Sequence, residues 1–334
     1  MLHGGLGFTK KILCHYEVQS NEAIYWRLAQ KHKKMQILTL NKYLREKFGT
    51  KVYKLSLSAG TTCPNRDGKL STGGCYFCSS GGSGEFAASS KDLKTQITDA
   101  KLKVDSKFPK SYKNQDKKYI AYFQSFSNTY GNQEKLKDIF KEAISYPEVV
   151  IISIGTRADC LTNDMILFLA ELNKIKPVWI ELGFQTVHQK THEMLNTKFS
   201  LKTFEETYAK LKQNGISVIV HVILGLPGES KNQMKETIKY LANLNPILDG
   251  IKIQVLNVLK GTKLEEMYKE NAFKIFEMEE YCDFVVECLK LLPKEVVIHR
   301  LTGDGPKKLL IEPKWIANKK LVLNTLNKKI SQEP

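Results

Sequence analysis

The sequence predicts an α/β protein built as a partial (β/α)6-type TIM barrel with short N- and C-terminal extensions. Three observations predict it. Seven short apolar, β-branched runs recur between residues 52 and 299. Amphipathic helical patterns separate most of them, as in a parallel sheet with crossover helices. The polar residues suited to chemistry gather where these runs end, the face on which β/α barrels carry their reactive groups.

The elements follow in order. Residues 1–34 show no strong periodicity and end in QKHKKM, so they read as an extension, with Met35 as a candidate second start site. Met35 opens a capped amphipathic stretch, LTLNKYLREKFG. The expected strands are VYKLSLSA (52–59), YIAYFQS (119–125), VVIISIG (149–155), VWIELGF (178–184), SVIVHVIL (217–224), GIKIQVL (250–256) and EVVIH (295–299). Each is short and rich in Val and Ile, as strands buried on both faces are. Between them lie QEKLKDIFKEAI, TNDMILFLAELNKI, TFEETYAKLKQNG and KNQMKETIKYLANL, with Gly215 where a C-cap glycine belongs. The barrel domain is expected over 35–300, followed by a basic segment, 301–334, packing on or beside it.

Composition narrows the function. The apolar share of 42% is that of an ordinary globular protein. Runs such as VIVHVIL fall far short of the roughly 20 residues that span a bilayer. The N-terminus lacks a secretory apolar core, so a cytoplasmic protein without a membrane partner is expected. Lys and Arg number 51 against 35 acidic residues, a net charge of +16, which favours an anionic partner such as nucleic acid. Seven cysteines make an odd count, and three of them group tightly, which fits metal binding better than a disulfide framework. Cys282 and Cys288, in MEEYCDFVVECLKLL, read as small buried hydrophobes.

The grouped cysteines are Cys63, Cys75 and Cys78 in CPNRDGKLSTGGCYFC, among glycines that let backbone approach an inorganic cluster closely. Three thiolates suit a [4Fe–4S] cluster with one open iron. A zinc site wants four protein ligands, and Cys14 or His15 folding back would be needed to supply the fourth before His188. A redox Cys-x-x-Cys pair is the third reading.

Read in order, CPNRDG…GGCYFC, SSGGSGEF, AYFQSFSNTY, IGTRADCL, IELGFQT, HVILGLPGE and IHRLTGDGP resemble the radical S-adenosylmethionine superfamily. More narrowly, the set is similar to the elongator-protein-3-like bacterial group of YhcC/YtqA type, MnmL-like tRNA-modifying enzymes. The resemblance runs from about residue 36 to 315. It implies that Cys63, Cys75 and Cys78 each hold one iron and that S-adenosylmethionine chelates the fourth. An electron from a reductant such as flavodoxin or ferredoxin would then release methionine and a 5′-deoxyadenosyl radical. It also implies a tRNA partner, with a 5-carboxymethylaminomethyl wobble uridine converted to 5-aminomethyl. From the bond to be broken, hydrogen abstraction at the glycyl methylene, oxidation to an imine and hydrolysis would release glyoxylate. A radical enzyme acting on a small metabolite or protein, and a zinc-stabilised RNA-binding protein without catalysis, are the alternatives.

The same resemblance places Phe77 near the adenine, Gln124 at the methionine amino group, Gln185 at the ribose, and His221 and Gly225 beside the cofactor. Arg157 would meet the cofactor carboxylate or the substrate. One departure stands out: relatives often read Asn-Arg-Gly-His after the fourth strand, and this chain has Asn196-Thr197-Lys198-Phe199. Lys198 restores a charge there but not a bidentate guanidinium. Tyr122, Phe126 and Tyr130 read either as base-stacking or as core residues, and His188 with His192 as a weak metal pair at helical spacing.

Overall fold

A computed structural model describes residues 35–333, apart from residue 83, residues 88–91 and residue 272. The expected extension ahead of Met35, with Cys14 and His15, lies outside the described residues. All seven expected strands form: β2 (Val52–Leu57), β3 (Lys118–Phe123), β4 (Val149–Thr156), β5 (Val178–Gln185), β6 (Ser217–Leu224), β7 (Gly250–Val255) and β9 (Val297–Arg300). A two-residue strand, β1 (Leu38–Thr39), joins them. The sequence pattern had absorbed it into the helix that follows. The eight strands make one parallel sheet in the order β1-β9-β7-β6-β5-β4-β3-β2. Its two edge strands, β1 and β2, do not pair with each other, so the sheet curls into a partial barrel.

Helices return the chain between strands. They are α2 (Leu93–Val104), α3 (Gln133–Ser145), α4 (Asn163–Ile175), α5 (Gln189–Met194), α6 (Leu201–Gln213), α7 (Lys231–Ala242), α8 (Lys263–Lys269) and α9 (Met278–Leu289). Caps fix where several start: Asn132, Thr162, Ser200 and Ser230 each accept from a backbone N–H of the first turn. Cys282 and Cys288 are fully buried on α9, as expected.

Helix α1 (Leu40–Phe48) is capped by Thr39 and ends at Gly49, whose φ of 69° returns its N–H to Arg45. Leu44 packs with Ile120, Ile151, Trp179 and Ile219, flanked by Leu40, Tyr43 and Phe48. These side chains plug the end of the barrel from which the strands start, which leaves the opposite end for the site. A small antiparallel pair, β8 (Val258–Leu259) with β10 (Leu310–Glu312), adds to the wall. Trp315 donates to the Phe276 carbonyl at 2.9 Å. Residues 37–326 form one compact unit. Helix α10 spans Lys319–Gln332. Among the described residues no helix is long and apolar enough to cross a membrane.

Candidate active site

The loop after β2 carries the three cysteines. Backbone bonds tie it into turns, from Arg66 N to Cys63 O at 2.8 Å and from Cys78 N to Cys75 O at 2.9 Å. Tyr76 N donates to Leu195 O, and Leu264 N to Tyr76 O, so the loop is pinned between the end of α5 and the start of α8. Arg66 donates to the carbonyls of Cys78 and Ser79. Tyr76 and Phe77 pack against Leu195, Leu226, Leu256, Val258 and Leu264. Gly82, at φ 59°, closes the loop on Phe126, whose ring occupies the place a Cβ would take. No substitution fits there.

The three cysteines form no disulfide and are half-buried. Burial, then the neighbouring Cys78, pushes the Cys75 thiol up to about 12, so a metal must displace its proton. Asn65, fully buried, donates through Nδ2 to Cys75 Sγ at 3.4 Å and to the Asn196 carbonyl. Supporting bonds of this kind are typically worth about 10–100-fold in metal affinity or activity. Asn65→Ala is therefore expected to lose bound iron about tenfold faster to a chelator, read by iron content against time.

A cavity of about 380 Å³ gathers residues at and beyond the C-terminal ends of the strands. Of the nine residues expected at the site, eight line it: Cys63, Cys75, Cys78, Phe77, Gln124, Arg157, Gln185 and His221. Gly225 does not. It turns at φ 86° against the Phe276 ring, and its N–H points to Met234 Sδ at 3.1 Å.

Three of the eight have specific geometry. Gln124 is unpartnered at its buried Nε2 among the described residues, so its amide is available to a ligand. Gln185 sits at φ 63°, a strained conformation for a side-chain-bearing residue. Arg157 forms a bidentate pair with Asp159 at 2.8 Å and donates to the carbonyls of Thr197 and Lys198. Its guanidinium thus shapes the Asn196–Phe199 loop, in which Asn196 and Lys198 both have φ 52°.

Beneath the thiols lies a layer that the sequence reading only brushed. Glu181, fully buried, accepts from Lys54 (2.8 Å) and Ser153 (2.7 Å) on Oε1, and from His221 (2.8 Å) and Lys252 on Oε2. Lys252 also donates to the Tyr122 hydroxyl at 3.0 Å, and the Lys54 and Lys252 ammoniums flank the Tyr122 ring at 4.3 and 4.5 Å. Burial opposes the charge on Glu181, but Lys252, Lys54 and His221 hold its carboxyl well below the usual range. Burial, then Lys252, pulls His221 down to about 4, leaving a neutral ring. Burial pulls Lys252 down too, opposed by Glu181 and aided by Lys54 and Arg300.

A usable signal was present: Lys54, Tyr122, Ser153, Glu181, His221 and Lys252 each interrupt an apolar strand at an inward position. Tyr122 is thereby part of this layer rather than a free stacking face. His188 and His192 part company. His188 Nε2 lies 2.9 Å from the Gln233 carbonyl, and His192 bridges Thr197 and Thr186. Among the described residues no three His, Cys, Asp or Glu side chains converge on a single metal ion.

Comparison with known proteins decides the family. The profile described as "Radical SAM superfamily" matches residues 59–241, and the "Radical_SAM C-terminal domain" matches 248–332. The chain belongs to the radical SAM superfamily. Its cofactors are accordingly a [4Fe–4S] cluster and S-adenosylmethionine. The uncharacterized protein YtqA of Bacillus subtilis (strain 168) is 43% identical over 293 residues, 87% of this chain and 88% of that protein. The tRNA uridine(34) acetyltransferase of Methanocaldococcus infernus is 27% identical over 164 residues, 49% of this chain but only 30% of that protein. In fold, the archaeal Methanocaldococcus infernus Elp3 with an N-terminal deletion aligns at TM-score 0.60 and 19% identity, over 84% of this chain and 64% of that one. The residues present fit the cofactors: three cysteines outside any disulfide line one cavity, an asparagine N–H faces a thiol sulfur, and, among the described residues, a buried glutamine amide stands unpartnered on the same wall.

Proposed function

We propose that the chain modifies the wobble uridine of tRNA, converting a 5-carboxymethylaminomethyl group to 5-aminomethyl. The observation that carries this reading is the similarity of its barrel segment to a protein named for acting on uridine 34 of tRNA. The net charge of +16 supports it, because a polyanion binds such a surface and displaces counterions.

In this reading Cys63, Cys75 and Cys78 hold the cluster. Phe77, Gln124, Arg157, Gln185 and His221 surround S-adenosylmethionine, with Gly225 shaping the turn nearby. When bound and reduced by a flavodoxin- or ferredoxin-type donor, the pair supplies a carbon radical able to abstract hydrogen. The chain's own work is to hold the cofactors, keep water from the cavity and position the base. A nucleotide in an unpaired anticodon loop is flipped at low cost.

The test is anaerobic reconstitution with iron and sulfide, then S-adenosylmethionine, dithionite and tRNA from cells lacking the enzyme, with nucleoside mass spectrometry. Loss of the carboxymethylaminomethyl nucleoside together with 5′-deoxyadenosine is the expected result. Cleavage of S-adenosylmethionine with tRNA unchanged sends the search to a small metabolite or protein; a colourless protein restores the zinc reading. Binding of that tRNA is expected to weaken roughly 10³-fold between about 50 and 200 mM salt. A flat salt profile argues against the RNA partner.

A further inference from the structure

The charged layer under the thiols is not balanced within itself. Lys54 and Lys252 share one carboxylate, Glu181. Arg300, 3.0 Å from Asp304, shares that carboxylate with Lys319. Lys319 is exposed at the rim, so within the cavity Lys252 and Arg300 each share their carboxylate with a second donor. Glu181 already takes four donors, which fills its acceptor capacity. Lys252 spends two of its three N–H groups, on Glu181 and Tyr122. Arg300 spends two of its five, on Gln254 and Asp304. Lys252 and Arg300 are partners in register on adjacent strands, and both line the cavity. Lys252, buried, and Arg300, part-buried, leave spare donors on one cavity wall, and such donors suit an anion. Asn257, on the same cavity wall, has a buried Oδ1 without a partner among the described residues, an acceptor where the donors want an acid.

We infer that Lys252 and Arg300 receive the carboxylate of an N-substituted glycine group, while Asn257 Oδ1 accepts a hydrogen bond from its amine. The inference rests on the tRNA reading for its substrate, since the carboxymethylaminomethyl arm is such a group. Two cationic donors and one neutral acceptor match its carboxylate and secondary ammonium. The glycyl methylene between them would be held at a fixed depth below the cysteine loop. The layer then acts as a specificity device, because the product lacks the carboxylate and loses its hold.

The test uses the reconstituted holoenzyme with S-adenosylmethionine saturating, as wild type, Lys252→Met and Arg300→Gln. Anticodon stem-loops carrying either 5-carboxymethylaminomethyl or 5-aminomethyl uridine are titrated. In parallel, N-methylglycine and methylamine are compared for thermal protection. Wild type is expected to bind the carboxylate-bearing stem-loop about tenfold more tightly than the aminomethyl one, the weight of a charge-assisted hydrogen bond. Either variant should erase that preference and keep its cluster absorbance. Two variants guard against one that misfolds.

If wild type binds neither stem-loop, yet N-methylglycine protects it and not the variants, the tRNA reading falls and the carboxylate site stands. If the variants discriminate as wild type does, or no probe separates them from it, the inference is overturned. It is overturned too if the variants chiefly weaken S-adenosylmethionine binding, because the cations would then serve the cofactor.

Discussion

Cys75→Ala, purified anaerobically and reconstituted with iron and sulfide, is expected to emerge colourless and to leave S-adenosylmethionine intact. Cys75 lies on a loop whose backbone is fixed independently of its sulfur, through Tyr76, Gly74 and Leu264. Removing the thiol therefore removes a ligand without removing the loop. Loss of a mere supporting residue typically costs about 10–100-fold, so loss of a ligand should carry turnover below that range, to background.

Stability should hardly change, because Cys75 lies outside the packed core, where substitutions usually shift stability by less than about 1 kcal/mol. Cys282→Ala makes the control. That thiol is fully buried among the apolar residues of α9, so it should cost about 1–2 kcal/mol in stability and keep both colour and activity. Iron content and thermal unfolding, measured on both variants, should show opposite patterns. Retention of a full cluster in Cys75→Ala would remove Cys75 from the ligand set.

Much of this arrangement was legible in the chain alone, for physical reasons. Strands buried on both faces must be short and apolar, and that pattern located β2 to β7 and β9 to within a few residues. The cysteine loop was legible because a ligand set leaves a fixed spacing. What escaped were features set by packing in three dimensions. Strand β1 is two residues long and exists only because Leu38 and Thr39 fall in register with Val297 and Ile298. The pair β8 and β10 depends on residues 258 and 312 meeting across about 50 positions of chain.

Lys252 was hidden differently. The lone lysine in GIKIQV marks an interruption of an apolar strand, but its partner Glu181 lies two strands away in the sheet, so the pairing, at 3% exposure, could not be read from the chain. Arg157 shows the converse case. Its type and place fit a ligand contact, yet four of its hydrogen bonds go to Asp159 and to the loop where relatives carry an arginine and this chain has Thr197. A guanidinium thus stands at that loop after all, contributed by the turn that follows β4.

The largest stability effect in the molecule is expected at Glu181. Glu181→Ala strands Lys54 and Lys252 against a low-dielectric interior without their shared counter-charge. Breaking a buried pair by removing one partner costs about 3–5 kcal/mol, which for a chain of this size lowers the unfolding temperature by roughly 10 °C. The double variant Glu181→Leu with Lys252→Met should recover part of that loss. Apolar side chains replace a buried ion pair at little or no cost, and the two residues are in contact, so their effects cannot simply add. A double variant less stable than both singles would show that the layer is held by something other than this pairing.

Acid titration separates the contributors. Glu181 is held below its ordinary 4.5, so its stabilising contribution is complete above 4.5 and is lost as pH falls through the lower folded value. His221 titrates at about 4 in the folded protein against 6.5 unfolded. The unfolded chain therefore gains a proton first, and stability falls as pH drops from 6.5 to about 4. His192, held at about 4 chiefly by burial, adds to the same window. Wild type should thus lose stability in two stages on acidification. Glu181→Gln should keep the upper stage and flatten the lower one. Unfolding temperatures recorded against pH for both proteins check this, and a lower stage unchanged in Glu181→Gln would place the responsible carboxylate elsewhere.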